Sequence, residues 1–213
     1  MKNPRLINVI FPWLLSIPLA AAFSCLISGC DSTDPEKEDT PELITKATLN
    51  FMPEGGGTVV VATATDPDGE GVQDIVVDGP VDLSAGTTYV MSISLINELA
   101  EPSDPEYDIT GEVEEEGDEH MFFFSWTNNV FSDPTGNGNI DNRNDPVNYS
   151  GGSTSMDVNN RPLGLITTWT ASASSVMGSF RVVLKHQPEL KSDISDSNTG
   201  ETDLDITFTI NVN

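Results

Sequence analysis

The alternation of Leu204, Ile206, Phe208, Ile210 and Val212 with Asp205, Thr207, Thr209 and Asn211 is a strict period of two. Successive side chains of a strand point to opposite faces, so this pattern defines a strand with one buried and one wet face and excludes a helix. Tyr89, Met91, Ile93 and Leu95 repeat the pattern against Ser92 and Ser94, and Phe180, Val182 and Leu184 repeat it against Arg181 and Lys185. Shorter β-branched runs follow at 43–51, 58–64 and 165–169, and the sequences Asp66 to Gly69 and Ser84 to Gly86 supply turn chemistry between them. Helical signals are confined to a turn or two over 108–116, with Asp108 or Thr110 as cap and Gly117 as stop. About eight short strands in about 170 residues predict an all-β fold, an antiparallel immunoglobulin-like β-sandwich, with Met91, Ile93, Val182, Leu184, Ile206, Phe208 and Ile210 in one core.

The first 41 residues carry none of this pattern. Lys2 and Arg5 precede an apolar run from Leu6 to Ile27, broken by Pro12 and Pro18 and closed by Leu26, Ile27, Ser28, Gly29 and Cys30. This order is that of a lipoprotein leader, with small residues just before the cysteine at which the peptidase cuts. Residues 1–29 are therefore expected to be a signal peptide, and Cys30 to become the lipidated N-terminus, carrying palmitate or a similar acyl chain. Residues 30–41 read as the lipidated cysteine and an acidic tether that spans about 30 Å at about 3 Å per residue. The β-sandwich is expected over 42–213. The acidic run behind Cys30 resembles the export signal that sends some Gram-negative lipoproteins to the outer face of the outer membrane, so the expected location is the outer membrane, on its periplasmic or cell-surface side.

Loss of Cys25 with the leader and acylation of Cys30 leave no thiol for a disulfide or a zinc knuckle. Seven basic residues then face 34 acidic ones, a net charge of about −27. Such a field excludes nucleic acid and anionic lipid as partners and favours cations or a basic protein surface.

Several motifs are specific enough to compare: Gly55 to Thr58 (Gly-Gly-Gly-Thr), Asp66 to Gly69, Leu95 to Leu99, Glu115 to Phe124, Leu184 to Pro188 and Gly200 to Ile206. In this order the chain resembles a family of small acidic β-rich lipoproteins of Gram-negative bacteria, often encoded near TonB-dependent receptors. Relatives sometimes carry the label of a type 1 periplasmic binding fold, which requires two lobes of repeated βαβ units that this sequence lacks. The resemblance implies a location and a genomic neighbourhood; the partners expected from these are the membrane, through the lipid anchor, and an outer-membrane TonB-dependent receptor.

Two segments carry candidate ligands. By strand parity His120 shares a face with Phe122, Phe124 and Trp126, and His186 with Phe180, Val182 and Leu184, so the chain's two histidines each end a strand on its apolar register. Were the two ends to meet, His120 and His186 with Glu116, Asp118 and Glu119 would form a nitrogen and oxygen site suited to Zn2+ or Cu2+. The competing explanation is two unrelated histidines at a sandwich rim. The second segment, 133–145, follows part of a calcium-loop pattern. It places Asp133, Thr135 and Asn137 at the first oxygen positions, Gly138 at the turn, Asn139 as a carbonyl donor and Asp141 at position nine. Asn144 stands where a bidentate glutamate belongs, with Asp145 beside it, so Ca2+ would bind weakly and a solvated connector explains the composition equally well. Asp66 to Glu70 reads as a hairpin turn before it reads as an ion site.

Catalytic motifs are absent: no Gly-x-Ser-x-Gly elbow, no phosphate-binding glycine loop, no HExxH helix, no free cysteine. With aromatics at 7% of residues, a sugar cleft with stacking platforms is not expected, and Trp126 and Trp169 read as core. The function expected from sequence is a non-catalytic, lipid-anchored envelope binding module, accessory to an uptake receptor and taking a cation or metal-containing ligand. The alternative is a calcium-stiffened adhesive domain that binds protein or glycan.

Overall fold

The computed structural model describes residues 42–69, 74–149 and 152–213, so the leader, Cys30 and its tether, together with Glu70, lie outside the described residues. Among the described residues ten strands run in chain order: β1 (Lys46–Pro53), β2 (Val60–Thr65), β3 (Val76–Val77), β4 (Val81–Leu83), β5 (Thr88–Ile96), β6 (His120–Trp126), β7 (Phe131–Asp133), β8 (Ile166–Ala171), β9 (Val176–His186) and β10 (Glu201–Val212). They form two sheets, one ordered β3-β2-β1-β5-β8-β7 and the other β4-β10-β9-β6. The sheets pack face to face as a sandwich, and the seven side chains expected to share a core all lie in one buried cluster. Trp126, Trp169, Phe124, Phe131 and Phe180 fill its centre, with Trp169 and Phe180 meeting edge to face at 4.9 Å.

Two features depart from the expected sandwich. Strand count is ten because β3, β4 and β7 are two or three residues long, too short for alternation to register. The pairing is also not wholly antiparallel: β4 lies parallel to the end of β10, with Ile210 opposite Val81 and Val212 opposite Leu83.

The one α-helix among the described residues, α1 (Ile109–Glu115), falls where expected and Asp108 caps it, its carboxylate accepting from Gly111 N at 3.2 Å. Thr110 has another task. Its hydroxyl accepts from Leu95 N at 2.8 Å and donates to Leu95 O at 3.0 Å, which ties the helix to β5. Ile109 and Val113 are buried beneath it. No helix among the described residues is long and apolar enough to cross a membrane.

Strand β6 is an edge strand, yet six of its seven residues are buried. The reason is the 133–149 segment, which covers both the edge and the outer face. Asn139 N donates to Phe124 O at 2.9 Å, Asn139 Oδ1 accepts from Phe124 N at 2.9 Å, and Asn137 O accepts from Trp126 N at 3.0 Å. Edge groups that would otherwise template aggregation are thereby paired. Gly138 makes the approach possible: at φ +96° it lies so close that a Cβ there would stand 2.0 Å from Phe124 O.

Candidate metal centre

The two histidines meet. His120 opens β6, His186 closes β9, and they are direct partners in the antiparallel ladder. Both are fully buried, and their rings stack with centroids 4.6 Å apart and planes 6° from parallel. His120 Nδ1 lies 3.2 Å from the Glu116 carbonyl oxygen. A carbonyl only accepts, so Nδ1 carries a proton, and Nε2 is the nitrogen turned toward the carboxylates and the one a metal would take.

Carboxylates surround the pair. One donor atom each from Glu116, His120 and His186 lie within 4.8 Å of one another, the only such group of three or more His, Cys, Asp or Glu among the described residues. His120 Nε2 is 3.6 Å from Glu42 Oε1 and 3.8 Å from Asp203 Oδ2, while His186 Nε2 is 3.9 Å from Glu119 Oε2. Glu42 in turn hydrogen-bonds Glu112 on α1. Five chain segments converge here: the start of the domain, α1, and strands β6, β9 and β10.

Burial and mutual repulsion set the protonation of these acids. Removal from water, followed by the charges of Glu112 and Asp203, pushes the Glu42 carboxyl up from 4.5 to about 8. Burial likewise raises Asp203 from 3.8 to about 7, against an opposing pull from the Glu42 backbone N–H and Lys185. Carboxyl groups crowded together out of water cannot all ionise unless something positive balances them. A divalent cation is the simplest such partner.

The positions expected from sequence are divided by the structure. Glu116 and Glu119 stand with the histidines. Asp118 does not: it faces the other side of the turn, where it lines a cavity of about 340 Å³ with Glu114, Glu115, Asp157 and Val158 and acts on Lys191. Three residues in sequence cannot all face one point, and the tight 116–119 turn, closed by Glu119 N donating to Glu116 O at 2.8 Å, sends the middle ones outward. Lys191 pins that turn from beneath. Its ammonium donates to the carbonyls of Gly117 at 2.6 Å and His120 at 2.7 Å and pairs with Asp157 at 3.2 Å, and burial pulls its pKa down to about 8.

Glu42, Asp203 and Glu112 were not among the expected ligands. Asp203 ought to point outward with Asp205, but the β9–β10 register slips between Thr202 and Leu204, and this bulge turns its carboxylate inward to complete burial. Glu42 precedes the first strand and carries no period at all.

The 133–145 loop gathers no comparable set. Asp133 pairs with Thr170 across β7 and β8, and Thr135 is exposed. Asn137 Nδ2 donates to Asp141 at 3.1 Å, Asn142 Nδ2 donates to Asp145 at 2.8 Å, and Asn144 N donates to Asn142 Oδ1 at 3.2 Å. Asn139 is buried and its Nδ2 donates to Tyr149 Oη at 2.9 Å. These are the bonds of a connector clipped to β6. Asp66 to Gly69 forms the expected turn, Asp66 Oδ1 accepting from Asp68 N at 3.2 Å. Trp126 and Trp169 lie in the core.

No protein-family model, no curated protein and no solved structure matches this chain.

Proposed function

We propose that this chain is a lipid-anchored, non-catalytic module of the cell envelope whose buried His120–His186 centre holds a transition metal, and that it serves as an accessory to an outer-membrane uptake receptor. The observation that carries the metal is the convergence of two fully buried imidazoles on the carboxylates of Glu116, Glu42, Asp203 and Glu119. A mixed nitrogen and oxygen set without thiolate suits Zn2+ or Cu2+. The anchor rests on the leader ending at Cys30, and the acidic balance of the chain supports a cationic ligand or a receptor surface of opposite charge.

The test is elemental analysis of protein purified natively from membranes, beside His120→Ala and His186→Ala. The proposal expects zinc or copper to co-purify with wild type and to be lost from both variants. Wild type without transition metal, or variants that keep as much as wild type, would refute it. Calcium retained alone would instead move the function to an adhesive domain.

A further inference from the structure

We propose that the centre takes two divalent ions, one on each imidazole, bridged by Glu116; this rests on reading the cluster as a metal site. A metal bound to imidazole lies in the plane of the ring, on the nitrogen lone pair, at about 2.0–2.1 Å. The planes of His120 and His186 are 6° from parallel and their centroids 4.6 Å apart, so no point near the pair lies in both. An ion placed between them would sit out of plane on each. Nor are the rings free to fan open: the two residues face each other across the β6–β9 ladder and are fully buried.

The carboxylates divide in the same way. Glu42 and Asp203 approach Nε2 of His120, and Glu119 approaches Nε2 of His186. Glu116 alone has a donor atom within 4.8 Å of donors on both rings. That gives one half-site of His120, Glu42 and Asp203, another of His186 and Glu119, and a carboxylate placed to join them. Paired metal ions held by proteins stand about 3.5–4 Å apart, and the donor atoms of the two rings lie within 4.8 Å of each other. Charge agrees. Five carboxylates, counting Glu112, balance two divalent ions far more nearly than one, and unbalanced charge in a buried site is costly. Of the two ions that suit the centre, oxygen-rich donors with a single imidazole per ion are met by Zn2+.

The experiment titrates metal-free full-length protein with Zn2+ in millimolar Mg2+, which occupies surface carboxylates, and counts retained ions by native mass spectrometry, with circular dichroism to confirm the fold. Wild type is expected to saturate at two ions and His186→Ala at one. Should His186→Ala unfold, Glu119→Gln leaves the ring pair in place and is expected to weaken the second ion at least tenfold while sparing the first. Saturation of wild type at one ion overturns the pairing but leaves a single-metal centre standing. No ion retained overturns both. Two ions bound by Glu119→Gln as tightly as by wild type, or two ions still retained by a folded His186→Ala, would overturn the second half-site of His186 and Glu119.

Discussion

Replacing Glu42 by Gln should stabilise the metal-free protein at neutral and alkaline pH while weakening its hold on metal. The carboxyl of Glu42 titrates near 8 in the folded chain against 4.5 when unfolded. Below pH 4.5 both states bind the proton and the group contributes nothing to pH dependence. Between pH 4.5 and 8 the unfolded chain releases its proton and the folded chain keeps it, so stability falls as pH rises, then levels off above 8. A tenfold change in proton affinity is worth about 1.4 kcal/mol, so by pH 7 the accumulated loss is about 3 kcal/mol. Glutamine keeps the shape and cannot ionise. Urea denaturation of chelator-treated wild type and Glu42→Gln at pH 4.5 and pH 8 checks this. The variants should be nearly equal at the lower pH, and Glu42→Gln more stable by about 4 kcal/mol at the higher. The remaining acidic surface is common to both proteins and cancels in the difference. Added Zn2+ should reverse the order, because an ion that binds only the folded state stabilises by mass action and wild type binds it better. Equal stabilities at pH 8 without metal, or a less stable Glu42→Gln there, would refute the claim that crowded carboxyls strain the metal-free centre.

Lys191→Met should cost about 3–5 kcal/mol in urea denaturation, since it strands the Asp157 carboxylate and the carbonyls of Gly117 and His120 without their buried cation. A cost under about 1 kcal/mol would count against Lys191 as the pin of the 116–119 turn. Gly138→Ala should prevent the loop from closing on β6, because its methyl would collide with Phe124 O, and soluble expression should collapse or thermal stability fall sharply. Millimolar calcium should leave the melting temperature where chelator leaves it if hydrogen bonds alone order residues 133–145; a rise abolished by Asp133→Ala would restore the calcium reading. Cys30→Ser should abolish both palmitate labelling and membrane fractionation.

The strands that carry the sandwich announced themselves because each has one apolar and one solvated face: β5 and β10 read directly from alternation, and their core side chains lie where parity placed them. Strand parity also put His120 and His186 on inward registers, the part of the centre that local sequence can specify. What completes the centre is long-range. That the two strands pair in a register setting histidine opposite histidine depends on the whole sheet order. Asp203 turns inward only because of a bulge, and Glu42 arrives from the end of a segment without periodicity. Residues Met121 to Phe124 form an unbroken apolar run because a later loop covers their second face, and no window around β6 contains that loop. Parallel pairing of β4 likewise joins segments 129 residues apart, with Asn211 Nδ2 donating to Asp82 Oδ1 at 3.1 Å beside it.

The most direct test of the central claim is anomalous diffraction at the zinc absorption edge from crystals of the zinc-loaded protein. The account predicts strong peaks about 2.0–2.1 Å from Nε2 of His120 and from a ring nitrogen of His186, with carboxylate oxygens of Glu116, Glu42, Asp203 and Glu119 completing the coordination. A map with zinc only on surface carboxylates, and none between β6, β9 and β10, would contradict it.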